Sequence, residues 1–332
     1  MGDERMPLIS PFRMLSPAGA RARLSIFIFH RVLPAPDPMQ PGEPDAARFE
    51  QIVRFVARHF HVLPLGEAAR KLRAGQLPAA AACITFDDGY ADNLGVAAPI
   101  LARHGVSATF FVSTGFIDGG RMWNDTVIEA LRHMPRGDLD WSCYGVGRWR
   151  IDDMASRIAA CRATLAHLKP MEPGQRLEFT TDIGRTAGLP AQSDLMLTRA
   201  GILQLRDMGM EIGAHTVNHP ILRSVSDRVA ADEIGGSRET LAQWLGEAPR
   251  VFAYPNGVPG RDYTGRDVRL VRQAGFDVAA STAKGVATAG SDMLQLPRFT
   301  PWDQQMGRFA LRCAANIVQG VGPAVQSVTE PA

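Results

Sequence analysis

The 332-residue sequence predicts an α/β fold in which parallel strands form a barrel. Helix-like segments that end near a glycine are followed repeatedly by short, strand-like runs. Three such steps join residues 98–105 to 107–112, residues 203–209 to 210–214, and residues 268–275 to 276–280. A fourth step joins residues 233–245 to 251–254 through a connection that contains a proline. Strands that alternate with helices form a parallel sheet, and polar groups at several strand ends in a chain of this length favour a barrel.

Two strand-like runs in the first third of the chain are followed directly by ionisable side chains that could be catalytic. Residues 24–29 end at His30, and residues 83–86 end at Asp87 and Asp88. Both runs are rich in apolar, β-branched and aromatic residues, which are typical of buried strands. Active sites of parallel α/β folds are built at the C-terminal ends of strands, so we expect these side chains to lie at the functional face.

Asp87 and Asp88 are adjacent, and Gly89 after them permits a sharp turn. Two ionised carboxylates at one strand end repel each other unless a cation, a proton or an arginine compensates their charge. A divalent metal ion is the simplest compensation. A lone Asp-Asp-Gly is most often a structural turn, however, so a metal site needs a second observation.

Two histidines provide that second observation. Residues 210–214 predict a strand that is entered from a helix ending at Gly209, and His215 and His219 follow this strand. Pro220 disfavours a helical conformation at His219 and favours a loop. Two imidazoles and one carboxylate are a usual catalytic set for zinc, which leaves the second carboxylate available as a base. Both motifs at strand ends of one α/β chain indicate a site.

The two motifs resemble those of the polysaccharide deacetylases, also called the NodB homology or carbohydrate esterase 4 family. Residues 85–89 and 215–219 match the first two motifs of that family residue for residue. The resemblance runs from about residue 25 to residue 299, with a less recognisable middle. It implies a distorted (β/α) barrel with about seven parallel strands, the NodB-homology fold.

The resemblance also implies a role for each motif side chain. Asp87 corresponds to the general base of the family. Asp88, His215 and His219 correspond to the ligands of a divalent metal ion, for which Zn²⁺ is the first candidate and Co²⁺ and Ni²⁺ are the others.

The chain departs from the third motif of the family, which is usually Arg-x-Pro-aromatic-Gly. In the matching stretch, Ala253 stands in place of the arginine and Asn256 in place of the aromatic residue. Arg298 follows a later strand-like segment and is a candidate to orient the base instead, although a surface or packing role is equally open. In the family, a backbone N–H of this motif helps to hold the oxyanion. We therefore interpret Tyr254 and Asn256 as substrate-binding residues.

In the family, a C-terminal histidine motif usually supplies the acid that protonates the leaving amine. This chain has no histidine after His219, so its acid must be found elsewhere. His30 resembles the acid of the permuted branch of the family, which includes poly-N-acetylglucosamine deacetylases of biofilms. In that branch the acid histidine precedes the Asp-Asp motif. We therefore interpret His30 as the catalytic acid, with a structural histidine as the alternative.

The chain is predicted to comprise an N-terminal extension (residues 1–23), a deacetylase barrel (24–303), and a C-terminal helix and tail (304–332). Between about residues 119 and 197 the barrel pattern loosens. We predict a helical insertion there, with helices at residues 127–133 and 154–168. Trp123 near its start either stacks on a sugar face or packs in a core.

The composition is that of an ordinary soluble enzyme. With 45% hydrophobic and 21% charged residues the chain can bury a large core, and a net charge of +2 gives no argument for nucleic-acid or membrane binding. The four cysteines lack the close pairing of a zinc or disulfide framework. Residues 1–23 lack a signal-peptide core and no run approaches about 20 apolar residues, so we expect a cytoplasmic protein without a transmembrane segment.

The sequence thus predicts a metal-dependent hydrolase that removes N-acetyl groups from amino sugars of a polysaccharide or its precursor. Its partner would be an N-acetylated oligo- or polysaccharide, and the sequence indicates no particular protein partner. One alternative is a deacylase of a small non-sugar amide, because the same chemistry cleaves any accessible amide. Another alternative is a non-catalytic carbohydrate-binding member of the fold. The missing motif arginine and the relocated acid are the observations that motivate it.

Overall fold

The computed structural model describes residues 10–301, 303–320 and 324–325. Most of the predicted tail after residue 320, and the first nine residues of the predicted N-terminal extension, lie outside the described residues. The strands are β1 (Ser25–Phe29), β2 (His61–Val62), β3 (Ala81–Phe86), β4 (Thr109–Val112), β5 (Gly137–Trp141), β6 (Gly147–Ile151), β7 (Glu211–Ala214), β8 (Val251–Ala253) and β9 (Val278–Ala280).

The helices surround the strands and connect them. They are α1 (Pro11–Leu15), α2 (Ala46–His59), α3 (Leu65–Arg73), α4 (Ala98–Arg103), α5 (Trp123–His133), α6 (Met154–Leu168), α7 (Pro173–Thr186), α8 (Arg199–Asp207), α9 (Asp227–Leu245), α10 (Gly265–Gln273) and α11 (Met306–Gln319). A π-helical stretch, Asn93–Ala97, leads into α4. In the part of the chain that the structure describes, no helix is both long and apolar enough to cross a membrane.

Seven strands form one parallel sheet in the order β1-β3-β4-β7-β8-β9, with β2 paired to the start of β3. An extended segment near the end of the chain connects the two outer strands. Leu296 pairs with Ala280 of β9, and Phe299 pairs with Phe27 of β1. The Phe299 N–H donates to the Ile26 carbonyl at 2.7 Å. The sheet therefore curls into the distorted (β/α) barrel that the sequence predicts.

Strand β3 lies in the interior of the sheet, and all six of its residues are buried. A strand with both faces covered needs a continuous apolar run, which explains why its sequence does not alternate. Phe86 at its end stacks between Phe29 and Phe110, at ring-centroid distances of 5.5 and 4.8 Å. These three residues are also register partners across β1, β3 and β4. As a result, His30 and Asp87 leave neighbouring strands at the same level.

The glycines predicted to end helices do so. Gly209 after α8 and Gly275 after α10 have φ values of 80° and 91°, which a residue with a side chain rarely adopts. Helix α9 begins at Asp227, six residues before the predicted start, because the Ser226 side chain caps it by accepting the Val229 N–H.

The insertion contains more than the helices that the sequence predicts. Helix α6 has the predicted bounds, but the antiparallel hairpin β5–β6 and helix α7 were not predicted. The hairpin is solvated on one face, where the Arg148–Asp140 and Arg150–Asp138 pairs lie. Its charged and apolar residues alternate as in a half-buried strand, a pattern that the sequence analysis did not use. The insertion has a hydrophobic cluster that is separate from the barrel core and includes Leu131 of α5.

Truncation of Phe86 tests the importance of the aromatic stack for the sheet. Phe86→Ala is expected to lower the free energy of unfolding by about 3–5 kcal/mol, because it removes a fully buried ring and leaves a cavity. Phe86→Leu should cost clearly less, since it fills most of that space. Urea unfolding followed by circular dichroism measures both, and equal losses in the two variants would contradict the proposed packing role.

Candidate active site

The predicted site residues lie at the C-terminal edge of the sheet. Asp87 and Asp88 follow β3. His215 and His219 follow β7, which is separated from β3 by β4. Both pairs occupy loops, as Pro220 predicts for the histidines. The structure also brings Arg298 and His30 to this edge.

Arg298 forms a bidentate ion pair with Asp87. Its Nη1 and Nη2 atoms donate to the two carboxylate oxygens of Asp87, each at 2.7 Å, and both side chains are buried. Nε of Arg298 donates to the Ser281 carbonyl at 2.8 Å, which fixes the plane of the guanidinium. Burial alone would raise the pKa of Asp87. The positive charge of Arg298, and then His215, outweigh this effect, so the pKa of Asp87 lies below its ordinary value. Asp87 is therefore ionised at neutral pH.

Asp88, His215 and His219 form a cluster with the chemistry of a metal site. One donor atom from each lies within 4.8 Å of the others. Oδ1 of Asp88 is 3.4 Å from Nε2 of His215 and 3.4 Å from Nε2 of His219. This oxygen is buried and accepts no hydrogen bond from any residue that the structure describes.

These distances fit a small divalent cation better than hydrogen bonds. Ligand atoms about 2.1 Å from a tetrahedral ion lie about 3.4 Å from one another. A hydrogen bond between nitrogen and oxygen is usually about 2.9 Å long. Burial lowers the pKa of His219 to about 4, so its imidazole is neutral at neutral pH, as a metal ligand must be. The donor set therefore fits Zn²⁺ or a similar ion.

A hydrogen bond from His215 to the main chain orients its imidazole. Nδ1 of His215 lies 2.7 Å from the Ala253 carbonyl, an acceptor only, so this nitrogen carries the proton. Nε2 then presents its lone pair toward Asp88. Ala253 is the residue that replaces the usual motif arginine, and it takes part in the site through its backbone.

Glu233 of α9 fixes the loop between the two histidines. Its carboxylate accepts hydrogen bonds from the N–H groups of Val217 and Asn218 at 2.9 and 2.7 Å, and from the Asn218 side chain at 2.8 Å. These charge-assisted bonds hold a loop that has no regular structure of its own. The sequence analysis did not identify Glu233, because its partners lie 15 and 16 residues away across a helix–loop junction.

Several residues of the site have left-handed backbone conformations. Asp88, Thr216, His219 and Asn256 have φ values of 76°, 64°, 54° and 57°. Such conformations are unfavourable for residues with a side chain and are concentrated at functional sites. The four residues belong to the three motifs, so the strain coincides with the residues that the sequence singles out.

His30 lies in the same cavity as Asp88 and His219. Burial lowers the pKa of His30, but the negative charges of Asp88, Glu43 and Asp87 together raise it above the ordinary value. The His30 carbonyl accepts a hydrogen bond from the Asn93 side chain at 2.9 Å, which anchors this turn. Glu43 was not identified from the sequence, because it lies in an irregular proline-rich loop that only the fold brings near His30.

The cavity has a volume of about 360 Å³ and reaches from the barrel edge to the insertion. Trp123 and Asn256 line it, together with Lys169 and Arg176 of the insertion. A substrate contact is therefore open to Trp123 and Asn256. A larger groove of about 880 Å³ runs along residues 189–198 and contains none of the predicted site residues.

Tyr254 is a correction to the sequence analysis. Its ring is fully buried and stacks on Tyr263 at a centroid distance of 3.9 Å. Its hydroxyl donates to the Leu294 carbonyl at 3.0 Å. The Tyr254 N–H also donates, to the Ala280 carbonyl at 3.1 Å, so Tyr254 packs in the core with both its hydroxyl and its N–H already hydrogen-bonded. The motif position next to a proline suggested the site, but the preceding strand directs this side chain inward.

A buried acid connects the insertion to the aspartate loop. The Tyr90 hydroxyl, two residues after Asp88, donates to Oδ2 of Asp125 at 3.1 Å, and the Arg31 guanidinium lies 4.7 Å from the centre of the Tyr90 ring. Burial raises the pKa of Asp125 to about 7, against the opposing effect of Arg31. Asp125 was not identified from the sequence, where it is one acid among many on a helix.

A sequence model of the family described as "Polysaccharide deacetylase" matches residues 74–164 and 175–279 of this chain. A comparison with curated proteins gave no match.

Solved structures share the fold. The Streptococcus pyogenes deacetylase PplD in complex with acetate covers 91% of this chain and 99% of its own, with a TM-score of 0.59 and 20% identity. IcaB from Ammonifex degensii covers 91% and 98%, with a TM-score of 0.56 and 19% identity. A de-N-acetylase from Aggregatibacter actinomycetemcomitans covers 86% and 99%, with a TM-score of 0.55 and 14% identity.

Metal binding at the three-residue cluster predicts a thermal shift. Zn²⁺ added to chelator-treated protein is expected to raise Tm, because an ion that binds only the folded state stabilises it by about 2.7 kcal/mol at one hundred times its Kd. His219→Ala should lose most of this rise, whereas His133→Ala, at an exposed position of α5, should keep it. Differential scanning fluorimetry with metal analysis measures the effect. An equal rise in wild type and His219→Ala would place the ion elsewhere.

The buried acid predicts a pH-dependent stability. The folded-state pKa of Asp125, about 7, exceeds the unfolded value of about 4. Its stabilising contribution is therefore complete below about pH 4 and is lost as the pH rises through 7. Asp125→Asn cannot ionise, so its Tm relative to wild type should increase between pH 4 and pH 8. The exposed Asp138→Asn serves as the control, and parallel curves for Asp125→Asn and wild type would contradict the assignment.

Proposed function

The chain belongs to the polysaccharide deacetylase family of hydrolases, and we propose that it removes N-acetyl groups from amino sugars of a polysaccharide or its precursor in a metal-dependent reaction. The observation that carries the proposal is the position of the Arg298–Asp87 ion pair beside the cluster of Asp88, His215 and His219. An ionised base and a three-ligand cation site are what amide hydrolysis by water requires.

Asp87 is proposed to take the proton of the attacking water. Its depressed pKa keeps it ionised, and the two bonds to Arg298 hold both oxygens in a fixed plane. Arg298 would act as a positioning residue, since its guanidinium is buried and also donates to the Ser281 carbonyl. Arg298 would thus supply, from the extended segment after β9, the contact that the missing motif arginine would make.

Asp88, His215 and His219 would hold the metal ion, and two imidazoles with one carboxylate form a ligand set that suits Zn²⁺. When bound, such an ion acts as a Lewis acid toward the acetyl carbonyl and the water. The left-handed turn at Asn256 supports a further contact. No described carbonyl accepts a hydrogen bond from the Asn256 N–H, and Asn256 lines the cavity, so this N–H can donate to the developing oxyanion.

His30 is proposed to protonate the departing amine. It lies in the cavity with Asp88 and Asn256, and its raised pKa favours the protonated form that an acid needs. Glu43 contributes to this shift and would stabilise the imidazolium. The position of His30 after β1 is the arrangement that the resemblance to the permuted branch implies.

Acetate release from N-acetylglucosamine oligomers tests these roles. Asp87→Asn and His30→Ala are each expected to lower kcat by about 10²–10⁴-fold, because each removes one proton-transfer group. Metal content should stay near that of wild type in both variants, since neither residue belongs to the ligand cluster. His133→Ala provides the matched histidine control and should keep full activity.

Each departure from this result has a definite meaning. Turnover that survives Asp87→Asn would refute its role as the base. No release by metal-loaded wild type would refute the sugar deacetylase and direct the search to small non-sugar amides. Protein that takes up no metal would favour the non-catalytic carbohydrate-binding alternative.

A further inference from the structure

The inserted subdomain places a buried arginine in the catalytic cavity. Arg176 of α7 lines the same cavity as His30, Asp88 and His219, although only 9% of its surface is exposed. Its guanidinium lies 4.8 Å from the ring centre of Trp123, and its Nη1 donates to the Lys169 carbonyl at 3.2 Å. The other guanidinium N–H groups of Arg176 donate to no residue that the structure describes.

No carboxylate among the described residues forms an ion pair with Arg176. The charge of Glu172 acts on Arg176, but this side chain is exposed and accepts the Gln175 N–H at the start of α7. The other arginines near the cavity are neutralised, because Arg298 pairs with Asp87 at 2.7 Å and Arg31 pairs with Asp92 at 2.8 Å.

A buried guanidinium without a counter-ion is unfavourable, because burial removes water and supplies no compensating charge. Guanidinium groups bind carboxylate and phosphate through paired N–H donors, and stacking on an aromatic ring leaves the edge of the group available. Lys169 lines the same cavity and brings a second positive charge. The far end of the cavity is therefore suited to an oxyanion.

We propose that Arg176, assisted by Lys169, binds a carboxylate or phosphate carried by the glycan whose N-acetyl group lies at the barrel edge. The preferred substrate is then an anionic N-acetylated glycan, and a neutral one is a poorer substrate. The inference rests on the proposed deacetylase function. One ligand can serve both ends, because the cavity is continuous from Asp88 to Arg176.

The test compares substrates of matched length. The neutral probe is N-acetylated chitotetraose, and the carboxylate probe is a tetrasaccharide in which N-acetylglucosamine alternates with glucuronic acid. N-acetylglucosamine 1-phosphate, compared with N-acetylglucosamine, tests phosphate as the source of the charge. Acetate release by zinc-loaded enzyme gives kcat and KM for each probe, and calorimetry gives its Kd.

Arg176→Gln removes the charge, and Arg185→Gln is the matched control. Arg185 lies on the same helix, pairs with Asp182 and has a side chain that is 78% exposed, so its loss changes the net charge equally without touching the cavity. Wild type is expected to favour an anionic probe by about 10–100-fold in kcat/KM, mainly through KM, as for hydrogen bonds to charged groups. Arg176→Gln should lose this preference and Arg185→Gln should keep it.

Lys169→Gln, at an exposed position, gives a second measurement that does not depend on how well Arg176→Gln folds. It should reduce the preference by a smaller factor. No preference in wild type, or equal losses on neutral and anionic probes in Arg176→Gln, would overturn the inference and leave the deacetylase function intact. If no probe is turned over, the deacetylase function fails, while an anion preference in Kd that needs Arg176 still supports the inference and its absence overturns it.

Discussion

The ion pair between Arg298 and Asp87 is the interaction on which the rest of the site depends. It joins the end of β3 to the segment that hydrogen-bonds to both β9 and β1, so the contact that orients one carboxylate also holds the two edges of the sheet together. Both charges are buried, and each would be strongly unfavourable alone. The same contact therefore belongs to the closure of the barrel and to the site, and loss of either partner would leave an uncompensated buried charge in both.

The proposed roles assign catalysis to the barrel and substrate recognition to the insertion. The groups proposed to carry out the reaction lie on loops of the barrel and are fixed by backbone hydrogen bonds, such as those of Glu233 to the histidine loop and of His215 to Ala253. The opposite wall of the cavity comes from the insertion, which has its own hydrophobic cluster. Because this hydrophobic cluster is separate from the barrel core, the cavity wall can vary in sequence without disturbing the loops that carry Asp88, His215 and His219.

The sequence predicts the parts of the structure that local patterns determine. Apolar runs followed by Asp87, His215 and His30 locate three strand ends, and the parallel arrangement brings these ends to one edge. Arg298 remained undecided between two roles, because its partner lies 211 residues away and only the closed sheet pairs them. The alternation of charged and apolar residues in β5 and β6 was a local signal that the prediction overlooked. Tyr254 was misplaced because motif position does not reveal which way a side chain points.

The separation of Asp87 and Arg298 along the chain has a consequence for biosynthesis. The first half of the sheet can form while later residues are still being translated, but the closing segment at Leu296–Phe299 is made after all seven strands of the sheet. Contacts between residues so distant in sequence form slowly, because the entropy of a long loop must be lost first. Until then Asp87 lacks its guanidinium partner. The proposed site is thus complete only after the nascent polypeptide has been extended through the closing segment.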